Sequence, residues 1–224
     1  MRAPISIIIP TLDAADGLTV TIPSLMEGLE AGLVRELILS DGGSTDATRA
    51  VADAAGAVWL TAPVSRSVRL RRGADAARGD WLMFLESGTA LSKGWARDLG
   101  EVLQTPGAHH FRLRFHGRAL FPRMAAGVAN LRAGMRLPDR EHGLLIDRAT
   151  YDAVGGYPDL PLMEDVAIAR ALGARLGSLP VYAETCPRTY AEAGWLRRGT
   201  RNTVNLVRYL GGTDPAALHG AYRG

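Results

Sequence analysis

The sequence predicts an α/β fold with a mostly parallel sheet and helices on both faces. Two observations carry this. Short, wholly apolar runs recur along the first 92 residues, each ending in a polar loop, and the segments between them have helical spacing. Ile5-Ser6-Ile7-Ile8-Ile9 is β-branched and apolar on both faces, the pattern of a buried parallel strand, with Pro10 expected to end it. Leu18, Ile22, Leu25, Leu29 and Leu33 then fall near helical spacing. Glu36 to Ser40 reads as a second strand running into an acidic loop, Asp41-Gly42-Gly43-Ser44-Thr45-Asp46. Thr45 and Asp46 suit the cap of a helix near Ala47–Ala55.

Val58-Trp59-Leu60 is a third short strand, Ser67–Ala77 an Arg- and Ala-rich helix, and Trp81–Leu85 another fully apolar strand before Glu86-Ser87-Gly88-Thr89. Ligands of such sheets bind beyond the carboxyl ends of the strands, where the Asp41 and Glu86 loops both lie. After Leu91 the pattern changes. His109–Phe115 alternates like an antiparallel or edge strand, and residues 117–140 suggest irregular structure or a short helix lining the site. Leu144-Leu145-Ile146 resumes a strand, and Gly155-Gly156-Tyr157-Pro158 is a turn. Pro161–Leu176 has a helical apolar face, with Glu164 and Asp165 in its first turn. The chain is read as one domain, 1–224, with a first half to about 92, a second from about 93 to 185, and a basic C-terminal segment from about 186 to 224.

Composition narrows the class. The 224 residues are 47% hydrophobic and 22% charged, ordinary for a globular chain that needs no disulfide or structural metal. Cys186 is the only cysteine and has no internal partner, which points to a structural thiol in a reducing compartment. The N-terminus lacks a signal peptide's apolar region, and no run approaches the ~18 apolar residues of a membrane span. A cytoplasmic protein is expected. The net charge of +3 is too small to imply nucleic acid. The arginines, however, are grouped: Arg66, Arg69, Arg71 and Arg72, then Arg188, Arg197, Arg198, Arg201 and Arg208. Such groups serve a solvated face or phosphate recognition.

Four segments in order resemble one family. They are Ile7-Ile8-Ile9-Pro10-Thr11, the Asp41–Asp46 loop, Ala77-Arg78-Gly79-Asp80 with its following strand and Glu86 loop, and Pro161-Leu162-Met163-Glu164-Asp165. Together they resemble family 2 glycosyltransferases of the GT-A fold. The likeness is greatest to short bacterial members with an Asp-Gly-Gly-Ser loop, a Pro-Leu-Met-Glu-Asp motif and an Arg-rich tail ending in Tyr, here Arg188–Tyr222. The resemblance implies a GT-A-like parallel sheet with a small antiparallel acceptor-side portion. It also implies a nucleotide-diphosphate-sugar donor and inverting transfer to an acceptor hydroxyl, with a lipid-linked acceptor left open. It places Thr11, Asp13, Asp41, Arg66, Glu86, Ser87 and Arg198 at the donor. Asp165 becomes the general base, with Glu164 beside it positioning acceptor or base.

One departure concerns metal. Such transferases usually carry an acid that binds a divalent cation at the position occupied by Gly88, leaving Glu86 as the nearby carboxylate for Mg²⁺ or Mn²⁺. Three outcomes stay open: arginines in place of metal, a metal held by Glu86 with another residue such as one of the five histidines, or binding without efficient transfer. A second departure is Ala14, where the family often has Glu and where Asp13 takes over part of the role. Three readings compete: a transferase, a nucleotidyltransferase, and a non-catalytic binder on a degenerate fold. The second lacks its Gly-rich basic loop at Pro10–Ala14. Trp195–Tyr209 is basic and amphipathic, which fits either a cover over the sheet or contact with the inner membrane face.

Overall fold

The computed structural model describes residues 3–61, 65–115, 120–185 and 195–218, with 120–121 and 195–199 described by backbone alone. Its strands are β1 (Ile5–Thr11), β2 (Val34–Asp41), β3 (Val58–Thr61), β4 (Trp81–Phe84), β5 (Thr89–Leu91), β6 (Ala108–Phe115), β7 (Leu144–Asp147) and β8 (Leu176–Thr185). They form one sheet in the order β3-β2-β1-β4-β7-β6-β8-β5. β1 pairs in parallel with β2 and β4, and β2 in parallel with β3, so the carboxyl ends of these four strands share one edge. β7 runs antiparallel to β4, which makes the expected antiparallel portion.

The helices are α1 (Ala15–Glu30), α2 (Thr48–Ala54), α3 (Arg66–Ala76), α4 (Trp95–Leu99), α5 (Leu120–Gly134), α6 (Arg148–Ala153), α7 (Glu164–Leu172) and α8 (Trp195–Leu210). Two core layers explain why β1 carries isoleucine on both faces. Ile5, Ile7 and Ile9 join Leu18, Leu25, Ala52 and Trp95 under α1, α2 and α4. Ile8 faces the other way, onto Leu70, Ala74, Tyr151 and Ile168 under α3, α6 and α7. Each such isoleucine, fully buried, contributes about 1.5–3 kcal/mol. A third, smaller cluster seats α5 on the end of β6 through Leu113, Phe115 and Ala126.

Several elements differ from the sequence expectation. β1 continues through Pro10 to Thr11. Residues 8 and 10 turn their backbone groups toward β4, whose pairing stops at Ile8–Phe84, so the N–H that proline lacks has no ladder partner to lose. β6 is no edge strand: it lies between β7 and β8, antiparallel to the first and parallel to the second. Its alternation reports one buried face and says nothing of neighbour direction. The 117–140 stretch holds a 15-residue helix rather than a short one. Its period is weak because Met124, Val128 and Leu131 face outward. The helix expected to reach Leu176 ends at Leu172, where Gly173 takes φ +53° and closes it. Leu176 instead opens β8. Leu29, placed on the core face of α1 by spacing, is 53% exposed.

The Ala77-Arg78-Gly79-Asp80 motif is a joint between strands. Glu36 of β2 accepts from Ser6 Oγ at 2.7 Å and from Arg78 Nη2 at 2.7 Å, while Gly79 N–H donates to Ser6 Oγ at 2.8 Å. A Cβ on Gly79 would stand 2.6 Å from Pro4 O and 2.7 Å from Ser6 N, which are backbone atoms fixed in the sheet. A Cβ on Gly127, in α5, meets nothing within 4 Å. Gly79→Ala is therefore expected to lower stability by roughly 1–3 kcal/mol through overpacking. Gly127→Ala should leave stability unchanged or raise it by up to about 1 kcal/mol. Urea midpoints of the two variants check this; equal midpoints would contradict the close joint at Gly79.

Candidate active site

Three loops and two helix starts meet at the carboxyl edge of the sheet. At the end of β2, Asp41 is 2% exposed and its carboxylate is saturated from within the chain. It accepts from Thr11 Oγ1 at 2.9 Å, Gly43 N–H at 2.8 Å, Ser44 N–H at 2.7 Å and Ser44 Oγ at 2.5 Å. Burial pushes its carboxyl up, but these donors outweigh it and hold it below the ordinary carboxylate range. Asp41 thus fixes the shape of the loop.

Asp13 lies across from it, exposed, with φ +48°. Its Oδ1 accepts from Thr45 N–H at 2.8 Å, and its own N–H donates to Ser44 Oγ at 2.8 Å. Its Oδ2 has no partner among the described residues. Asp46 caps two helices at once: Oδ2 accepts from Ala15 N–H at 3.0 Å and Oδ1 from Thr48 N–H at 2.9 Å. Capping accounts for Asp46, as its position before a helix suggested.

The centre of the site is Arg66, the first residue of α3. Its Nε donates to Glu86 Oε1 at 2.9 Å, and Nη2 binds the same oxygen. Nη1 donates to Glu164 Oε1 at 2.5 Å and to Asp165 Oδ2 at 3.1 Å. One guanidinium therefore gathers three carboxylates from the β4 loop and the start of α7. All four side chains are at least three-quarters buried, with Arg66 16% and Asp165 17% exposed. Met163, with φ +70°, turns the chain so that Glu164 and Asp165 open α7 facing Arg66.

Burial raises Asp165 from the ordinary 3.8 to about 7; Arg66 opposes the rise, and Glu164 and Glu86 add to it. The three acids in turn hold the Arg66 proton more firmly than usual, against the effect of burial. Arg69 binds Thr11 O from one turn further along α3, and burial lowers its pKa. On the far side of Asp165, a cavity of ≈ 90 Å³ separates α7 from α8. Of the residues chosen from sequence, Thr11, Asp13 and Asp41 cluster at one end, and Arg66, Glu86, Glu164 and Asp165 at the other. The side chain of Arg198 and residues Cys186, Arg188 and Tyr222 lie outside the described residues.

The Glu86-Ser87-Gly88 loop bears on metal. Gly88 takes φ +86°, and its N–H donates to Gly17 O at 3.1 Å and Thr21 Oγ1 at 2.9 Å. α1 can approach this closely because residue 17 is also glycine; a Cβ there would meet Gly88 N at 2.9 Å. An aspartate at 88 would thus need a different backbone. No group of three or more His, Cys, Asp or Glu suited to a metal occurs among the described residues. Glu86 nevertheless keeps Oε2 without a partner among them. One open carboxylate oxygen does not make a resident cage, but it suits a cation carried in on a diphosphate, which needs only one or two protein carboxylates. Sequence reading missed Tyr157, packed beside Asp165, and Asn202 and Asn205 across the cavity. The i, i+3 spacing of the two asparagines was the one available signal.

This architecture is that of the GT-A fold. The chain belongs to glycosyl transferase family 2, whose model matches residues 6–119. No functionally curated protein matches it. Among solved structures it is similar to residues 1–349 of S. aureus TarS, with 15% identity, TM-score 0.62, and 96% of this chain and 68% of that one covered. It is also similar to glucosyl-3-phosphoglycerate synthase of Mycobacterium tuberculosis in complex with Mn²⁺, UDP and glucosyl-3-phosphoglycerate, with 21% identity, TM-score 0.60, and coverage of 92% and 79%. A mycobacterial protein matches at 24% identity and TM-score 0.57; 82% of this chain spans 65% of that one.

Proposed function

We propose that the protein is an inverting glycosyltransferase that moves a sugar from a nucleotide-diphosphate donor to an acceptor hydroxyl, with Asp165 as the base. The observation that carries this is Asp165 itself. It is a mostly buried carboxylate that titrates near neutrality, with an open cavity beside it, at the strand edge where the family motifs converge. Asp165 takes the acceptor hydroxyl proton, the oxygen bonds to the anomeric carbon, and the bond to the diphosphate breaks. A single displacement inverts the anomeric configuration. Arg66 holds Asp165 in place, and Glu164 shares the same Nη1.

At the other end, the exposed Asp13 offers its open Oδ2 to the nucleoside, on a loop whose shape Asp41 and Thr11 set. The UDP in the TarS and glucosyl-3-phosphoglycerate synthase structures supports a nucleotide donor, and the Mn²⁺ in the latter supports a divalent cation. Such a cation would neutralise the leaving diphosphate and Glu86 would be the residue to touch it, while Arg69 adds positive charge. Asp165→Asn is expected to bind UDP, GDP or dTDP as the wild type does in calorimetric titrations with and without Mn²⁺, yet to lose sugar transfer at least 100-fold. Wild-type transfer should rise with pH up to about 7 and then level, because the base acts only when deprotonated. Binding of none of the three nucleotides by the wild type contradicts the transferase reading, and retained transfer in Asp165→Asn removes Asp165 as base.

The helices that border the cavity suggest where the acceptor is met. Met124, Val128 and Leu131 along α5, Met135 just after it, and Val204, Val207 and Leu210 along α8 are all exposed, at 44–69%. Residues 120–135 and 195–210 contain six arginines and no acid. Apolar stripes with basic flanks suit an anionic lipid surface and a lipid-linked acceptor. No helix among the described residues is long and apolar enough to cross a membrane. The wild type should sediment with phosphatidylglycerol-containing vesicles and not with neutral ones, and Val128→Glu with Leu131→Glu should abolish it. Equal recovery in the supernatant with both vesicle types contradicts lipid contact.

A further inference from the structure

Two carboxamides of α8 share a cavity with Asp165. Asn202 and Asn205 are three residues apart and so share one face of the helix, and both line the cavity whose opposite wall carries Glu164 and Asp165. Asn205 is only 6% exposed. Neither amide has a hydrogen-bond partner among the described residues. Beside them, the Nε of Arg132 is buried and equally without a partner, although its Nη2 binds Asp139 at 2.5 Å. A buried polar group left unpaired is costly. A structural amide would be satisfied by backbone or would turn to bulk water. These groups turn to a cavity instead, and their unused donors and acceptors describe what belongs there.

A carboxamide presents one accepting oxygen and two donor hydrogens, the complement of hydroxyl groups that both give and accept. We propose that this cavity is the acceptor subsite and that it takes a small polyhydroxylated molecule, or the polyol end of a larger one. Asn202 and Asn205 bind the hydroxyls that flank the one delivered to Asp165. Leu206 and Val166 give the apolar surface against which its carbon chain packs. The cavity, at ≈ 90 Å³, far exceeds the roughly 10–15 Å³ that one water needs on the same measure, so it admits a small polyol group, and anything larger extends through the mouth. Asn205 is thus a specificity residue rather than part of the chemistry. The inference rests on the reading of Asp165 as base, and its test separates the two.

The test compares wild type with Asn205→Leu, a change of similar volume that removes the amide. Transfer is followed from UDP-glucose, GDP-mannose or dTDP-glucose, chosen as the sugar nucleotide whose nucleotide binds in calorimetry. Glycerol, D-glycerate and D-glucose are offered singly as acceptors. The wild type is expected to use at least one of them. Asn205→Leu should raise the KM for that acceptor at least tenfold, with the nucleotide Kd and the urea midpoint unchanged. An acceptor KM unaffected by the substitution, or wild-type transfer to none of the three while nucleotide binds, overturns the acceptor assignment and leaves the donor reading standing. Failure of the wild type to bind any of the nucleotides overturns the transferase reading and the subsite with it.

Discussion

The arrangement of the site depends on one cation shared among three acids. Glu86, Glu164 and Asp165 come from two separate parts of the chain and meet at largely buried positions, where like charges repel strongly. Arg66 makes that meeting possible, because its planar fork can serve Glu86 with Nε and Nη2 while Nη1 serves the α7 pair. One positive charge does not neutralise three negative ones. Burial first, and this imbalance second, act on Asp165, which keeps its proton up to about pH 7. A carboxyl that ionises near neutrality is a stronger base than an ordinary aspartate while still being available in its charged form. The same imbalance makes the site receptive to a further cation, and the open oxygen of Glu86 is where a cation accompanying a diphosphate would meet it.

The two ends of the site are built on different terms. Around Asp41 every lone pair is used internally, so the loop is rigid and presents Asp13 to solvent. Around Asp165 the polar groups are only partly used, and the cavity between α7 and α8 keeps unsatisfied donors. A rigid end suits a constant feature such as a nucleoside. An unsatisfied end suits a partner that arrives with its own hydroxyls. The joint at Glu36, Ser6 and Gly79 stands at the opposite edge of the sheet, so the motif there serves the frame on which both ends are mounted.

Much of this was legible in the sequence because parallel strands covered on both faces leave an unbroken apolar run, as in Ile5–Ile9 and Trp81–Leu85. Their ends then locate the loops. Arg66, Glu86, Glu164 and Asp165 were all selectable, yet their union on one guanidinium was not, since it depends on α3 and α7 sharing an edge that only the strand order reveals. Strand β8 was hidden because Gly173 separates it from a helix whose periodicity Leu176 happens to continue. The direction of β6 was hidden because alternation encodes burial alone. Asp41 could be picked out but not assigned, for only the folded loop shows that its four acceptor sites are already filled.

The central claim is that burial and the crowding of acids, restrained by Arg66, set Asp165 near neutrality. Carbon-13 NMR titration of the aspartate side chains, with Asp165→Asn to assign the signal, measures this directly. The account predicts a carboxyl titrating at about 7 in the wild type, moving higher in Arg66→Met, where the restraining charge is gone. An Asp165 signal that titrates near 4 in the wild type, or that does not move when Arg66 is replaced, would contradict it.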